Sequence, residues 1–341
     1  MIQMISVIII AYNRKKYLKN AVESILRQSL KNDIEVIVIK NFKDKDIDQF
    51  LYDNNVLNIF NNEKTWIGAN YSLGIKEAKG DIITFLDDDD YYDEYRLKRI
   101  NETFHKHRDL CFYYNDIIAV DEKGDIISNY DKRMIPFGRR ANIEKEVIIG
   151  KDVPVRIKFR IIKRYEAFWS PSCIAIKKDF MLSFIQSLEG VMLAPGIFLA
   201  STIVPKDCSI LIDNRKLTFY RVHSSTSHPN ISNRDEFFRN REIFYKNSIY
   251  SLEKSYVTNK DSIDFVNIFL SLARLNYFIF SSNLNRKQLI NDFISINKNK
   301  DILGLHEISV INILFLLALI TPKKILREIF WFLSAMRDPV L

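Results

Sequence analysis

Asp81-Ile82-Ile83-Thr84-Phe85-Leu86 runs without a break into Asp87-Asp88-Asp89-Asp90. The first six residues read as a short buried strand. Four adjacent carboxylates repel one another and call for a compensating cation. An all-oxygen donor set favours a hard divalent ion, Mg²⁺ or Mn²⁺, which keeps open positions for phosphate oxygens. The plainer reading is a solvated acidic turn, because Asp93 and Glu94 also favour a helix start.

The flanking sequence supplies the frame. Continuous apolar runs at Ile5–Ile10 and Ile34–Ile39 predict strands buried on both faces. Val56–Phe60 and Leu110–Asn115 read as further strands. Between them, Lys16–Gln28, Asp44–Asp53, Ile67–Lys79 and Asp93–His107 carry helical spacing, the third ending at Gly80 as a C′-type stop. This alternation predicts an α/β fold with a mainly parallel, Rossmann-like sheet. Ligands in such sheets sit beyond the carboxyl ends of the strands. The segments to inspect are therefore Ala11-Tyr12-Asn13-Arg14, Lys40-Asn41-Phe42-Lys43-Asp44 and Asp87–Asp90. No GxGxxG or GxxxxGK[ST] occurs, which disfavours a dinucleotide fold and a P-loop.

Composition narrows the class further. The chain has 341 residues, 47% hydrophobic and 27% charged, with nine Gly and eight Pro, so it is globular and neither disordered nor collagen-like. Cys111, Cys173 and Cys208 lie far apart, imply no zinc site or disulfide framework, and suit a reducing cytoplasmic setting. The start, MIQMISVIII, reads as a strand and not as a signal peptide. The net charge of +8 is uneven: residues 131–164 hold eleven Lys/Arg against four Asp/Glu. Such a patch suits phosphates or an anionic membrane surface, or it is a solvated loop. It has no nucleic-acid motif and few interleaved aromatics (Phe137, Phe159), so nucleic acid is not the expected partner. Residues 116–164 read as an inserted hairpin and loop region. Within it Val155–Ile161 alternates strictly and predicts a strand with Arg156, Lys158 and Arg160 on one face. That face could hold the phosphate of a lipid-linked acceptor.

Cys173–Ile176 and Leu217–Val222 read as strands, and Asp179–Ser187 as a helix. Beyond about residue 228 the pattern becomes helical, with Ser232 and Asp235 as an N-cap pair. The expected division is 1–228 and 229–341. Ile308–Ile320 is an uncharged run of thirteen residues, short of the about 20 needed to span a bilayer. With Ile325–Met336 it predicts a hydrophobic hairpin over 302–336 lying in one leaflet, anchored by Lys323, Lys324 and Trp331.

In order and spacing, Val7-Ile8-Ile9-Ile10-Ala11-Tyr12-Asn13-Arg14, Ser24-Ile25-Leu26-Arg27-Gln28, Ile34-Glu35-Val36-Ile37-Val38 and Gly74 through Asp90 resemble the family 2 glycosyltransferases of GT-A fold, over roughly residues 4–115. Phe219 through Ser227 echoes the segment that closes the catalytic domain in that family. The helical tail is similar in character to membrane-associated tails of members with lipid acceptors. The resemblance implies inverting, metal-dependent transfer of a mannose- or glucose-type hexose from a nucleoside-diphosphate sugar, GDP-mannose or a UDP-hexose. The acceptor would be polyprenyl-linked or otherwise lipid-linked, at the cytoplasmic face of the cell membrane. Asp87 and Asp89 fall on the DXD motif that binds Mn²⁺ or Mg²⁺ with the diphosphate. His223 falls where a metal-facing group is expected, and Asp90 where the donor sugar is contacted. Ala11, Tyr12, Asn13, Asn41, Asp88 and Arg221 fall at nucleotide-sugar positions. Two departures stand out. Lys40 occupies the slot of a base-reading carboxylate, and Gly196 that of the catalytic base, leaving Glu189 as the nearest alternative base. These departures suit a second reading, a non-catalytic sugar-nucleotide-binding subunit.

Overall fold

The computed structural model describes residues 4–30, 33–62, 66–128, 142–193, 195–223, 233–254, 260–281 and 285–335. Its first half alternates β1 (Ile5–Ala11), α1 (Leu18–Leu26), β2 (Ile34–Lys40), α2 (Lys45–Asp53), β3 (Leu57–Phe60), α3 (Ile67–Glu77) and β4 (Ile82–Asp87). Strands β3, β2, β1 and β4 pair in parallel in that spatial order. The apolar runs are explained by layers on both faces. Val7 and Ile9 pack with α1, α2 and α4 (Arg96–Lys106), while Ile8 and Ile10 pack with α3. Asp44 caps α2 by accepting from the Ile47 N–H at 3.1 Å.

The second half of the sheet is mixed. β5 (Tyr91–Tyr92), β6 (Leu110–Val120), β7 (Val147–Ile149), β8 (Ile174–Lys177) and β9 (Ser209–Arg221) complete it. β8 runs antiparallel between β4 and β6, β9 lies parallel to β6, and α6 (Lys178–Leu182), α7 (Ile185–Glu189) and α8 (Pro195–Ile203) connect β8 to β9. The segment read as Leu217–Val222 is thus the end of a 13-residue strand. This strand returns the chain to the acidic cluster, where β5 pairs with Phe219 and Thr218.

Three expectations are corrected here. Val155–Ile161 is not a strand but part of helix α5 (Val155–Tyr165). Seven alternating residues fit either period; the helix is selected because Phe159 and Ile162 then enter the core, Phe159 stacking on Phe265 at 4.3 Å. Cys111 and Cys208 form a disulfide; sequence distance hides that the chain at Leu110 lies beside the start of β9. Gly80 is no left-handed helix stop, since α3 closes at Ala78 in extended backbone. A Cβ at Gly80 would come within 2.7 Å of the Met4 carbonyl and the Ser6 N–H, so glycine is there for close approach to the chain entering β1. The expected N-cap at Ser232 lies outside the described residues; at the start of α9 (Arg234–Lys254), Asn233 Oδ1 accepts from the Glu236 N–H at 3.2 Å.

The expected cationic face disperses with the strand. Arg156 donates to Asp301 at 2.9 and 2.7 Å and to Asp264 at 2.6 Å. Lys158 is buried and donates to the Cys208 carbonyl at 3.0 Å, and Arg160 donates to the Asp301 carbonyl. Arg156 and Arg160 tie α5 to α10 (Lys260–Phe280) and to the link after α11 (Arg286–Lys298), Lys158 ties it to the chain entering β9, and no row of cations is left for an acceptor. Residues 131–141 of the same basic stretch lie outside the described residues.

After β9 the chain is helical: α9, α10 (Lys260–Phe280), α11 (Arg286–Lys298), α12 (Leu305–Ile320) and α13 (Lys323–Ala335). Among the described residues only α10 is long and apolar enough to cross a membrane, and over half of it is buried in the fold. In α12, Ile308, Ile311, Phe315 and Ala318 join the main core, whereas Ile313, Leu316, Leu317 and Ile320 are exposed. In α13, Leu326 and Phe330 are buried while Ile325, Ile329 and Phe332 are exposed. Each helix thus carries one apolar stripe inward and one outward. Met336, the expected end of the hairpin, lies outside the described residues.

Candidate active site

The ends of β1, β2 and β4 bring together the segments that sequence pattern singled out. Asp88, Asp89 and Asp90 are buried, although polar, because β9 and the short 3₁₀ turn Pro171–Cys173 close over them. Asp90 is fully engaged. Its Oδ1 accepts from the Arg221 N–H at 3.0 Å and its Oδ2 from the Ser172 hydroxyl at 2.7 Å. Ser172 Oγ also accepts from the Asp87 N–H at 3.1 Å. Asp90 therefore ties three segments together, and both of its oxygens are used in doing so.

Asp89 meets Arg14 and His223. Its Oδ2 accepts from Arg14 Nη1 at 2.6 Å and lies 2.9 Å from His223 Nε2. Burial alone would raise this carboxyl, but the His223 hydrogen bond and the charges of Arg14 and His223 hold it below the usual range. Asp88 Oδ1 accepts from Arg14 Nη2, while its Oδ2 is buried without a hydrogen-bond partner. Burial, then the neighbouring Asp89, lifts Asp88 to about 7 against the pull of Arg14. Asp87 Oδ1 accepts from the Tyr71 hydroxyl at 3.3 Å, and burial followed by Asp89 raises it to about 6. Burial pushes Asp90 well up.

Arg221 is a strut. Its Nε donates to the Asp89 carbonyl at 2.9 Å, Nη1 to Asp121 and Glu122 carbonyls at 3.2 and 3.1 Å, and Nη2 to Asn20 at 3.0 Å. Tyr17 and Tyr91 cover its guanidinium at 4.6 and 5.2 Å. Four of the five N–H donors of an arginine are thereby committed, so it fixes the backbone of the acidic cluster.

At the nucleotide side, Ala11 is buried and Tyr12 is 46% exposed, free to meet a planar ligand. Asn13, in left-handed backbone at φ 55°, pairs with Asn41: its N–H donates to Asn41 Oδ1 at 2.7 Å and Asn41 Nδ2 donates to Asn13 Oδ1 at 2.9 Å. Lys40 turns away. Its buried ammonium donates to the Phe42 carbonyl at 2.7 Å and meets Asp48 at 2.7 Å. Glu189, on helix α7 (Ile185–Glu189), accepts from Lys76 at 2.7 Å and from Ser72 at 3.1 Å, and the lysine holds it below the usual carboxylate range. No hydrogen bond or ion pair joins it to the acidic cluster among those described. The slot at Gly196 admits no side chain, since a Cβ there would come within 2.0 Å of the Phe168 carbonyl oxygen.

Residues 6–169 match the profile of Glycosyl transferase family 2. The chain carries a family 2 glycosyltransferase domain. It is 22% identical over 265 residues to an uncharacterized glycosyltransferase of Methanocaldococcus jannaschii, covering 73% of this chain and 86% of that one. An uncharacterized glycosyltransferase of Nostoc sp. is 26% identical over 234 residues, 66% of each chain. Among solved structures, residues 1–349 of TarS from S. aureus in complex with UDP align over 96% of this chain and 91% of that one, with TM-score 0.54 and 14% identity. The same TarS fragment in complex with UDP-GlcNAc gives TM-score 0.55 at 14% identity. At that identity the likeness establishes the GT-A-like fold with its helical C-terminal region. The glycosyltransferase fold thus places Asp87–Asp90, Arg14 and His223 together. Sequence pattern missed the parts played by Tyr71 and Ser172, which carry no local signature. Arg14 was legible only as a member of the loop after β1.

Proposed function

We propose that this glycosyltransferase is metal-dependent and inverting. It would move a hexose from a nucleoside-diphosphate sugar, with UDP- and GDP-linked donors both within reach, to a lipid-linked acceptor at the cytoplasmic face of a membrane. The observation that carries the donor half is Asp89 meeting His223 and Arg14 at the strand ends. Among the described residues no three His, Cys, Asp or Glu side chains form a ready metal shell. The donor set nevertheless fits Mn²⁺ or Mg²⁺, which complete their shells with water and phosphate. Asp89, His223 and the neighbouring Asp87 would hold the ion, and the orphaned Asp88 oxygen marks unmet demand for positive charge. The ion, when bound, polarises phosphate oxygens as a Lewis acid.

The chain's own residues do the rest. Arg14 presents a planar, two-pronged cation to the diphosphate. Arg221 fixes the backbone on which Asp89 rides. Tyr12 and the Asn13–Asn41 pair border the nucleoside. An acceptor phosphate is already ionised and needs no general base, which suits a site where Gly196 excludes a carboxylate and Glu189 is paired with Lys76.

For the acceptor half, the support is the outward stripe of Ile313, Leu316, Ile320, Ile325, Ile329 and Phe332 beside Lys324. Two measurements test the proposal. UDP- or GDP-sugars with Mn²⁺ should raise the melting temperature, because ligand binding stabilises by mass action; no shift with any donor removes the donor half. Vesicles containing anionic lipid should sediment the protein, and Leu316→Asn with Ile320→Asn should release it without loss of donor binding. Wild-type protein left in the supernatant removes the membrane half.

A further inference from the structure

Arg14 and Arg221 both touch the acidic cluster, yet they are held very differently. Arg221 is buried and anchored by four donors. Arg14 lies in the loop after β1, its side chain 35% exposed, with its guanidinium spread across Asp88 and Asp89. It uses the same Asp89 oxygen that His223 approaches. A carboxylate oxygen has two lone-pair sites, and these two donors take both. A cation binding that oxygen must therefore displace a donor. Arg14 is the more exposed one, on a long side chain outside any strand or helix. Its fork geometry also matches a diphosphate as well as it matches paired carboxylates.

Resting on the donor-site reading above, we infer that Arg14 is an exchangeable counter-cation. It occupies Asp88 and Asp89 in the empty enzyme, moves onto the donor diphosphate when that arrives, and so makes divalent-ion binding depend on the nucleotide. The buried Asp88 oxygen without a partner supports the exchange, because the pair is under-neutralised even with Arg14 in place. With Arg14 gone, the freed Asp89 oxygen and the unneutralised charge of Asp88 would favour a divalent ion held by Asp89, His223 and Asp87.

The test measures Mn²⁺ binding to the full chain at pH 8 by calorimetry or paramagnetic resonance, with and without UDP or GDP. Wild type should bind Mn²⁺ weakly alone, and the nucleotide should tighten it on the order of tenfold or more. Arg14→Gln should bind Mn²⁺ alone on the order of tenfold more tightly than wild type, and the nucleotide should lose most of its effect. Arg14→Lys keeps the charge without the fork and should fall between; it carries the comparison if the glutamine variant does not fold. Unchanged or weaker Mn²⁺ binding in the variants, with nucleotide coupling intact, overturns the role of Arg14 alone. Absence of any nucleotide effect in wild type overturns the donor-site reading and this inference with it.

Discussion

The carboxylates gathered around Arg156 and those gathered around Arg14 differ in how well their charges are met. Around Arg156, the side chains of Asp261, Asp264 and Asp301 are 29%, 22% and 40% exposed. Each can use water as well as the guanidinium, and Arg156 holds Asp301 below the usual carboxylate range. Around Arg14, the side chains of Asp88 and Asp89 are 2% and 10% exposed, Asp88 is pushed up, and one oxygen finds no partner. The first cluster is satisfied and serves to fasten α5 to the C-terminal helices. The second holds buried carboxylates with one oxygen unmet, the condition in which a bound cation or phosphate gains most.

The largest expected difference is catalytic. Asp89→Ala should lower hexosyl transfer at least about a hundredfold, with the fold kept, whereas Arg156→Ala should leave donor affinity unchanged. Equal activity of wild type and Asp89→Ala at limiting Mn²⁺ would erase the distinction. Next comes stability. Arg156→Ala removes charge-assisted hydrogen bonds to two carboxylates and should cost about 1–3 kcal/mol in urea unfolding. A loss below ~0.5 kcal/mol would mark the cluster as an ordinary surface network.

The smallest effect is in pH. Burial raises Asp88 from 3.8 to about 7, so between those values the folded chain holds a proton that the unfolded chain has released. Its contribution to stability is therefore complete at low pH and lost as pH rises through 7. Asp301 is lowered, so its contribution is present above 3.8 and lost as pH falls through its folded value. With EDTA present, the melting temperature of Asp88→Asn relative to wild type should rise steadily from pH 5 to pH 7 and level off above it. Asp301→Asn should melt below wild type at pH 8, with the gap closing in acid. Parallel melting curves for all three proteins across that range would show that the two clusters do not titrate differently.

The tail shows what a one-dimensional reading misses. Deleting residues 301–341 looks, from the apolar run alone, like removal of a membrane anchor. In the fold it would also strip Ile302, Leu303, Ile308, Ile311, Phe315 and Ala318 from the main core, Asp301 from Arg156, and Glu307 from Lys163 at 2.6 Å. Only the outward stripe is separable, which is why point substitutions and not truncation test the membrane half.

What the sequence determined by itself rests on periodicity and on like charges in a row. The apolar runs at Ile5–Ile10 and Ile34–Ile39 read as strands covered on both sides, and adjacent Asp87–Asp90 at a strand end call for compensating groups wherever they are buried. Tertiary structure decided which groups. Arg14 stands 75 residues from Asp89 and His223 stands 134 away, and only the closing of β9 beside β6 delivers the latter. It also decided that Val155–Ile161 is a helix, since seven residues fit both periods until Phe159 and Ile162 meet the core. Local pattern records what a segment must bury; which partner buries it depends on chain closures that no short spacing encodes.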